Sequence, residues 1–190
     1  MGRWQPDAAG RLQGAALALF DERGYDETTV AAIAARAGLS ERTFFRHFAD
    51  KREVLFGGSA ELQQRMVDAV DGAPPAASAM EAITLALQAP GATFDDARRR
   101  FALRRQAVID ANPELAEREL VKLESIAAAL AEALRRRGVR PTAARLAADA
   151  GIAAFRVTFS RWAREEGGGD FADCAREAVA ELQAVTAAGS

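Results

Sequence analysis

The sequence predicts an all-α protein of about nine helices, in which an N-terminal three-helix domain with a helix-turn-helix precedes a larger C-terminal helical domain. Three observations carry that prediction. Apolar residues recur at spacings of three and four, and no run of alternating β-branched residues reads as a strand. Proline and glycine clusters cut the chain at 72–78 (GAPPAAS), 88–92 (QAPGA), 111–113 (ANP), 136–141 (RRGVRP) and 165–170 (EEGGGD). The first 50 residues hold short segments with tight turns, and the remainder holds longer, alanine-rich ones. The expected domains are therefore 1–50 and 51–190.

The first helix is expected from Pro6 to Arg23, burying Leu12, Ala16, Leu19 and Phe20 and stopping at Gly24. A threonine cap in ETTV opens the second, which turns Val30, Ile33, Ala34 and Ala37 inward and stops at Gly38. Ser40 caps the third. Asp50, with Glu53 three residues on, is expected to act as a carboxylate capping box and open the fourth at Lys51. Asn112-Pro113-Glu114 supplies a cap, a preset φ and a dipole-matched acid for a long helix reaching Arg137. Leu115, Leu123, Ile126, Leu130 and Leu134 form its apolar stripe. Two further helices are expected, at 142–165 and 170–187.

Composition narrows the function classes. The 190 residues are 49% hydrophobic and 27% charged, the balance of a soluble globular protein. A net charge of −2 excludes a polybasic chain, so any nucleic-acid contact must come from a local patch. Lys51 and Lys122 are the only lysines among 25 basic residues, a bias best explained by a GC-rich genome. The single cysteine, Cys174, fits a reducing compartment. No apolar run approaches the ~18 residues of a membrane span, and no secretory signal is evident. A cytoplasmic protein without membrane contact is expected. With one His, one Cys and one Tyr there is no metal-ligand spacing, no phosphate loop and no nucleophile–base grouping. Asp95 and Asp96 read as helix-start acids. Neither catalytic residues, nor a metal site, nor a cofactor is expected.

The stretch ARAGLSERTFFRHF, Ala35 to Phe48, is the most informative. Only Gly38, Leu39 and Ser40 join the second and third helices. Gly38 can adopt positive φ without strain, so the third helix can leave at a steep angle, and Ala34 permits close approach. This is helix-turn-helix geometry, whose second helix can enter a major groove. At about 100° per residue, Phe44 and Phe48 share one face while Arg42 and Arg46 point directly away. Thr43 and Phe45 lie on the shoulders and His47 near the rim. Between Arg36 and Arg52 there are five basic residues (Arg36, Arg42, Arg46, Lys51, Arg52) against two acids (Glu41, Asp50), beside the acidic DERGYDE. Charge attraction to phosphates would set affinity, and bidentate arginine–guanine contacts sequence preference.

The run TTVAAIAARAGLSERTFFRHFADKREVLF, Thr28 to Phe56, resembles the signature of the tetracycline-repressor (TetR) family of one-component regulators. The resemblance covers about 50 residues, from the first helix to the start of the fourth. It implies an all-helical homodimer whose C-terminal domain binds a small effector and dimerises. Effector binding then changes the spacing of the two recognition helices and releases a palindromic operator in double-stranded DNA. It also implies roles for single residues. Thr29 matches a phosphate contact, Arg42 and Thr43 the base readers, and Ser40 and Glu41 the entrance of the recognition helix. Phe45 stands where the family usually has tyrosine, so its contact loses a hydroxyl and becomes van der Waals. Arg42 replaces a frequent glycine, Arg46 faces outward beside it, His47 matches the family histidine, and Lys51 matches a phosphate-binding lysine.

Resemblance helps less beyond about residue 60. The last two helices carry small and apolar residues around much of their circumference, which suits a four-helix bundle with a twin subunit. Ala147, Gly151, Ala154, Cys174, Ala178 and Leu182 are the interface candidates, with buried monomer core as the competing reading. Phe101, Arg104, Arg105, Phe155, Phe159 and Trp162 are the effector-pocket candidates. Such a pocket would suit a hydrophobic ligand with an acidic group, against the competing reading of core aromatics and a solvated arginine face. A repressor released by its effector is the leading function. A dimer whose third helix binds a protein is the alternative, and a small-molecule enzyme the remote one.

Overall fold

The turn residues that punctuate the sequence set where each helix begins and ends. The computed structural model describes residues 8–91, 96–164 and 169–187. Among them run α1 (Ala8–Arg23), α2 (Val30–Arg36), α3 (Glu41–His47), α4 (Ser59–Asp71), α5 (Ala79–Gln88), α6 (Asp96–Asp110), α7 (Pro113–Arg136), α8 (Pro141–Arg164) and α9 (Phe171–Ala187), with a short 3-10 turn at Glu53–Phe56. No strand occurs among the described residues. The expected helix start at Pro6, the acid Asp95 and most of the glycine-rich break at 165–170 lie outside them.

The chain forms two compact units, residues 1–59 with 104–119, and residues 60–103 with 120–190. The sequence suggested a simple division after residue 50; instead the first unit also takes in the end of α6, the corner at 111–112 and the start of α7.

In the first unit α1 packs on α2, α3 and the 3-10 turn, and α2 on α3. Leu12, Ala16, Leu19, Phe20, Ile33, Ala34, Phe44, Phe48 and Leu55 are buried there. Burying an aliphatic or aromatic side chain contributes about 1.5–3 kcal/mol, so this small core suffices to fix three short helices. The start of α4 differs from expectation. The Asp50 carboxylate does accept from the backbone N–H groups of Arg52 (2.8 Å) and Glu53 (3.0 Å), yet what it caps is the 3-10 turn. Gly58, at φ +92°, then ends that turn, and α4 begins only at Ser59. Gly57 is held close beside α1: a Cβ there would meet Gln13 Nε2 at 2.5 Å and Phe48 Cε1 at 2.9 Å. The two glycines of FGGS therefore supersede the cap signal. Asn112 also departs from its expected role, since its side-chain amide donates back to the Val108 carbonyl (2.6 Å).

In the second unit α5, α8 and α9 pack on one another. Met66, Ile83, Leu87, Leu130, Leu134, Phe155 and Trp162 belong to its core. Ala147, Gly151, Ala154, Cys174 and Ala178 are buried in the same core, and Leu182 packs against it half-buried. Their small side chains admit neighbours within the chain, as in the competing reading of buried monomer core. Gly151 shows why, because a Cβ there would stand 2.6 Å from Ile83 Cγ2. The exposed apolar residues of α8 lie elsewhere. Leu146, at 65% exposure, and Val157, at 49%, share a stripe with Ala150 and Ala153 at spacings of four, three and four.

Candidate nucleic-acid interface

The candidate site is built around α3, seven residues long and fixed at both ends. Gly38 adopts φ +64°, and the α2 end closes with Gly38 N–H donating to Ala35 O (3.0 Å) and Leu39 N–H to Ala34 O (2.8 Å). The Arg11 guanidinium donates to the Ala37 carbonyl across the same turn. Ser40 then caps α3, its hydroxyl accepting from Thr43 N–H (3.2 Å) and lying 3.0 Å from Thr43 Oγ1. Thr29 caps α2 in the same way, accepting from Ala32 N–H (3.2 Å).

The adjacent phenylalanines part as the helical period requires. Phe44 is 0% exposed and Phe48 6%, while Phe45 stands 55% exposed with its ring edge-on to Phe44 at 5.5 Å. Glu41, Arg42, Arg46 and His47 are exposed alongside it, and Thr43 is half-buried. One short helix thus carries a buried keel and an outer face of two arginines, an aromatic ring and an imidazole.

The five cations of this region are not equivalent. Arg36 is paired with Glu22 through two contacts of 2.8 and 2.6 Å. Arg52 is paired with Asp50 at 3.2 and 2.8 Å. Lys51 donates to the Tyr25 carbonyl (2.8 Å), and its ammonium sits 4.0 Å from the centroid of the Tyr25 ring. Burial pushes the Tyr25 phenol well above its ordinary pKa, and its bond to the Glu114 carboxylate adds to the shift. Arg42 and Arg46 alone of the five have no hydrogen bond or ion pair among the described residues. These two guanidiniums are free to bind an external anion or base edge.

Residues 14–56 match the family described as bacterial regulatory proteins, tetR family, and residues 77–187 match the MftR C-terminal domain of TetR regulators. The chain belongs to the TetR family. The TetR-type fold is shared with a transcriptional regulator FadR from Bacillus subtilis, solved in complex with stearoyl-CoA (TM-score 0.62, 20% identity, 91% of this chain and 96% of that one). The HTH-type transcriptional regulator TcmR of Streptomyces glaucescens is 36% identical over 74 residues, 39% of this chain and 33% of that one. A protein of Mycobacterium tuberculosis described as a mycofactocin biosynthesis transcriptional regulator, MftR, is 30% identical over 118 residues, 60% of this chain and 58% of that one. The matched regions thus span about a third and somewhat over half of these two relatives.

Other residues of this TetR-family chain were missed by sequence reasoning. Thr28, 1% exposed, donates to the Gly24 carbonyl (2.8 Å) and locks the turn ahead of α2. The threonine pair of ETTV hinted at it, but the pattern alone does not divide anchor from cap. The effector-pocket candidates also separate. Phe155, Phe159 and Trp162 are brought together with Phe171 in one aromatic cluster, its neighbouring rings 5.6–6.0 Å apart. Phe155 and Trp162 are buried in it. Phe101 is half-buried on α6. Arg104 and Arg105 do not join that cluster, because both are committed within the first unit. Arg104 donates to Asp21 (2.7 Å), and Arg105 donates to the Leu55 carbonyl (2.7 Å) and Glu119 (3.0 Å) with its guanidinium over the Phe56 ring.

Proposed function

We propose that this chain is a DNA-binding transcriptional regulator, a homodimeric repressor that holds a palindromic operator through paired α3 helices and is released by a small, largely hydrophobic effector. The observation that carries the reading is the division of α3, where Arg42, Phe45 and Arg46 are exposed and the two arginines have no hydrogen-bond or ion-pair partner among the described residues. In this reading Arg42 and Thr43 read base edges, Phe45 meets a thymine methyl or sugar, and Arg46 and His47 flank the phosphates. Thr29 keeps a hydroxyl hydrogen to offer a phosphate while it caps, and Ser40 and Glu41 stand at the helix entrance. Lys51 faces the backbone from a position already fixed by Tyr25. The tetR-family match over 14–56 supports the assignment independently of these contacts.

A palindromic site requires a two-fold protein, and the α8 stripe of Leu146, Ala150, Ala153 and Val157 is the surface we assign to the twin subunit. The exposed apolar side chains at its two ends support that choice. The effector is read as an apolar molecule with an acidic group, acting in the cytoplasm, and the stearoyl-CoA held by the FadR relative is of that class. The test is binding of the purified protein to DNA upstream of its own gene. Selective binding that weakens steeply with salt, and is reversed by an effector from a compound screen, is expected. Loss of selectivity on every palindromic fragment would favour a protein partner for α3.

A further inference from the structure

We propose that Arg105, far beyond the helix-turn-helix in sequence, is a positioning residue for DNA binding: it fixes the 3-10 turn behind Lys51 and so sets that ammonium against a backbone phosphate. The inference rests on the DNA-binding reading above for what Lys51 touches, while the role of Arg105 comes from the contacts around the turn. Residues Glu53–Phe56 bury Val54, Leu55 and Phe56. So short a turn has no helical ladder to satisfy its carbonyls. Side chains of the first unit do so instead. Gln13 Nε2 of α1 donates to the carbonyls of Val54 (3.3 Å) and Gly57 (3.1 Å). Ser59 Oγ donates to the Phe56 carbonyl (2.6 Å), and Arg105 Nε to the Leu55 carbonyl (2.7 Å).

Of these three donors Arg105 is the charged one, and it is itself anchored. Its Nη1 donates to Glu119 Oε1 (3.0 Å), and its guanidinium carbon lies 5.1 Å from the centroid of the Phe56 ring. The Arg105 and Glu119 side chains are only 16% and 24% exposed, and there a charge-assisted bond is stronger than at an open surface. Arg118 braces the same turn from α7 through its bond to Glu53 (2.6 Å). The turn, so held, carries the lysine. The Asp50 carboxylate bonds the N–H groups of Arg52 and Glu53, and Leu55 N–H donates to the Arg52 carbonyl (3.2 Å). Residues 50–55 are therefore one hydrogen-bonded piece with Lys51 inside it. Its ammonium is then aimed by the Tyr25 carbonyl at 2.8 Å. Such bonds need about 2.7–3.2 Å, so a small slip of a turn freed from Arg105 takes the ammonium off both the carbonyl and the phosphate.

Fluorescence-anisotropy titrations of the full chain on the upstream fragment and on random DNA, at several salt concentrations, test this. Each variant is measured below its melting transition, with native helicity checked by circular dichroism. Arg105→Gln should weaken binding to both DNAs about tenfold. It should also lower the slope of log affinity against log salt by about 0.9, the value of one phosphate contact, as Lys51→Ala does. A loss of stability alone would not move that slope. Joined to Lys51→Ala, Arg105→Gln should weaken binding no further than about twofold. Arg105→Lys keeps the charge but cannot serve Leu55 and Glu119 from one planar fork, so it should weaken binding about threefold and lower the slope. That variant carries the test if Arg105→Gln does not fold. Arg136→Gln removes the same charge beside Asp71 in the second unit, and should leave affinity within about twofold and the slope unchanged. An unchanged slope in the Arg105 variants, or an Arg105→Gln loss that persists in full beside Lys51→Ala, would overturn the proposal and leave Arg105 a brace of the fold. Either result with a native chain that binds DNA defeats this inference alone. A native chain that binds neither DNA defeats the regulator reading and this inference with it.

Discussion

Phe45 carries the strongest prediction at the scale of single residues, because it is the large apolar side chain that α3 leaves in solvent. Phe45→Ala should change unfolding free energy by less than about 0.5 kcal/mol, as exposed positions do, while weakening DNA binding severalfold. Thermal melts beside operator titrations check it; a large loss of stability would place the ring in the core. Arg42→Ala should cost about 1–3 kcal/mol on the operator and relax the preference at one base pair, whereas loss of a phosphate contact weakens all sequences alike. Equal losses on operator and random DNA would remove Arg42 from the base-reading set. Lys51 is a mixed case. Since its ammonium also holds the Tyr25 carbonyl and ring, Lys51→Ala should lower the melting temperature as well as flatten the salt dependence of binding.

At the scale of elements, caps and close approaches decide where helices start and how near they pass. Asp50 ties down the turn ahead of α4, and Asp50→Ala should destabilise the chain by about 1 kcal/mol, in the range of lost caps. Burial pulls the Asp50 carboxyl upward, but the bonds from Arg52 and from the Glu53 and Arg52 backbone N–H groups outweigh it, and its pKa lies below the ordinary value. A folded-state pKa lower than the unfolded one gives stability above about pH 4 that is lost as pH falls through the folded value. The Asp50→Ala difference should accordingly shrink in acid-induced unfolding below that pH. Gly151→Ala should destabilise by about 1–3 kcal/mol through the clash with Ile83 Cγ2, and Ile83→Ala should relieve part of it in a double-mutant cycle. The same elements show what a sequence carries. The division between Phe44 and Phe45 was legible because a helix period assigns neighbours to different faces, and Gly38 was legible because its turn demands positive φ. The start of α4 was not, since Asp50 and Glu53 fit a cap for either helix type and the close approach of Gln13 and Phe48 to Gly57 is set by packing distant in sequence. Ser78 and Glu81 form a complete capping box that the pattern S-x-x-E already announces.

At the scale of the molecule, the parts least legible in the sequence depend on distant packing. Small residues occur on both the inner and the outer side of α8, so periodicity alone does not say which row faces α5 and α9 and which faces a twin. The structure assigns Ala147, Gly151 and Ala154 to the inner row and leaves Leu146 and Val157 outside. The double variant Leu146→Asp/Val157→Asp should therefore sediment as a folded monomer and bind a palindromic operator at least a hundredfold more weakly, because two half-sites no longer act together. Nor could spacing show that residues 104–119 belong with the first unit, where Arg104 meets Asp21 and Arg105 meets Leu55 and Glu119. The most direct measurement of the central claim is the salt dependence of binding to the DNA upstream of the gene, compared with random DNA, for the native chain and Arg42→Ala. Selective binding whose logarithm falls linearly with the logarithm of salt is expected, with a loss for Arg42→Ala that is larger on the upstream fragment. Equal, salt-insensitive binding to both DNAs, or none to either, would contradict it.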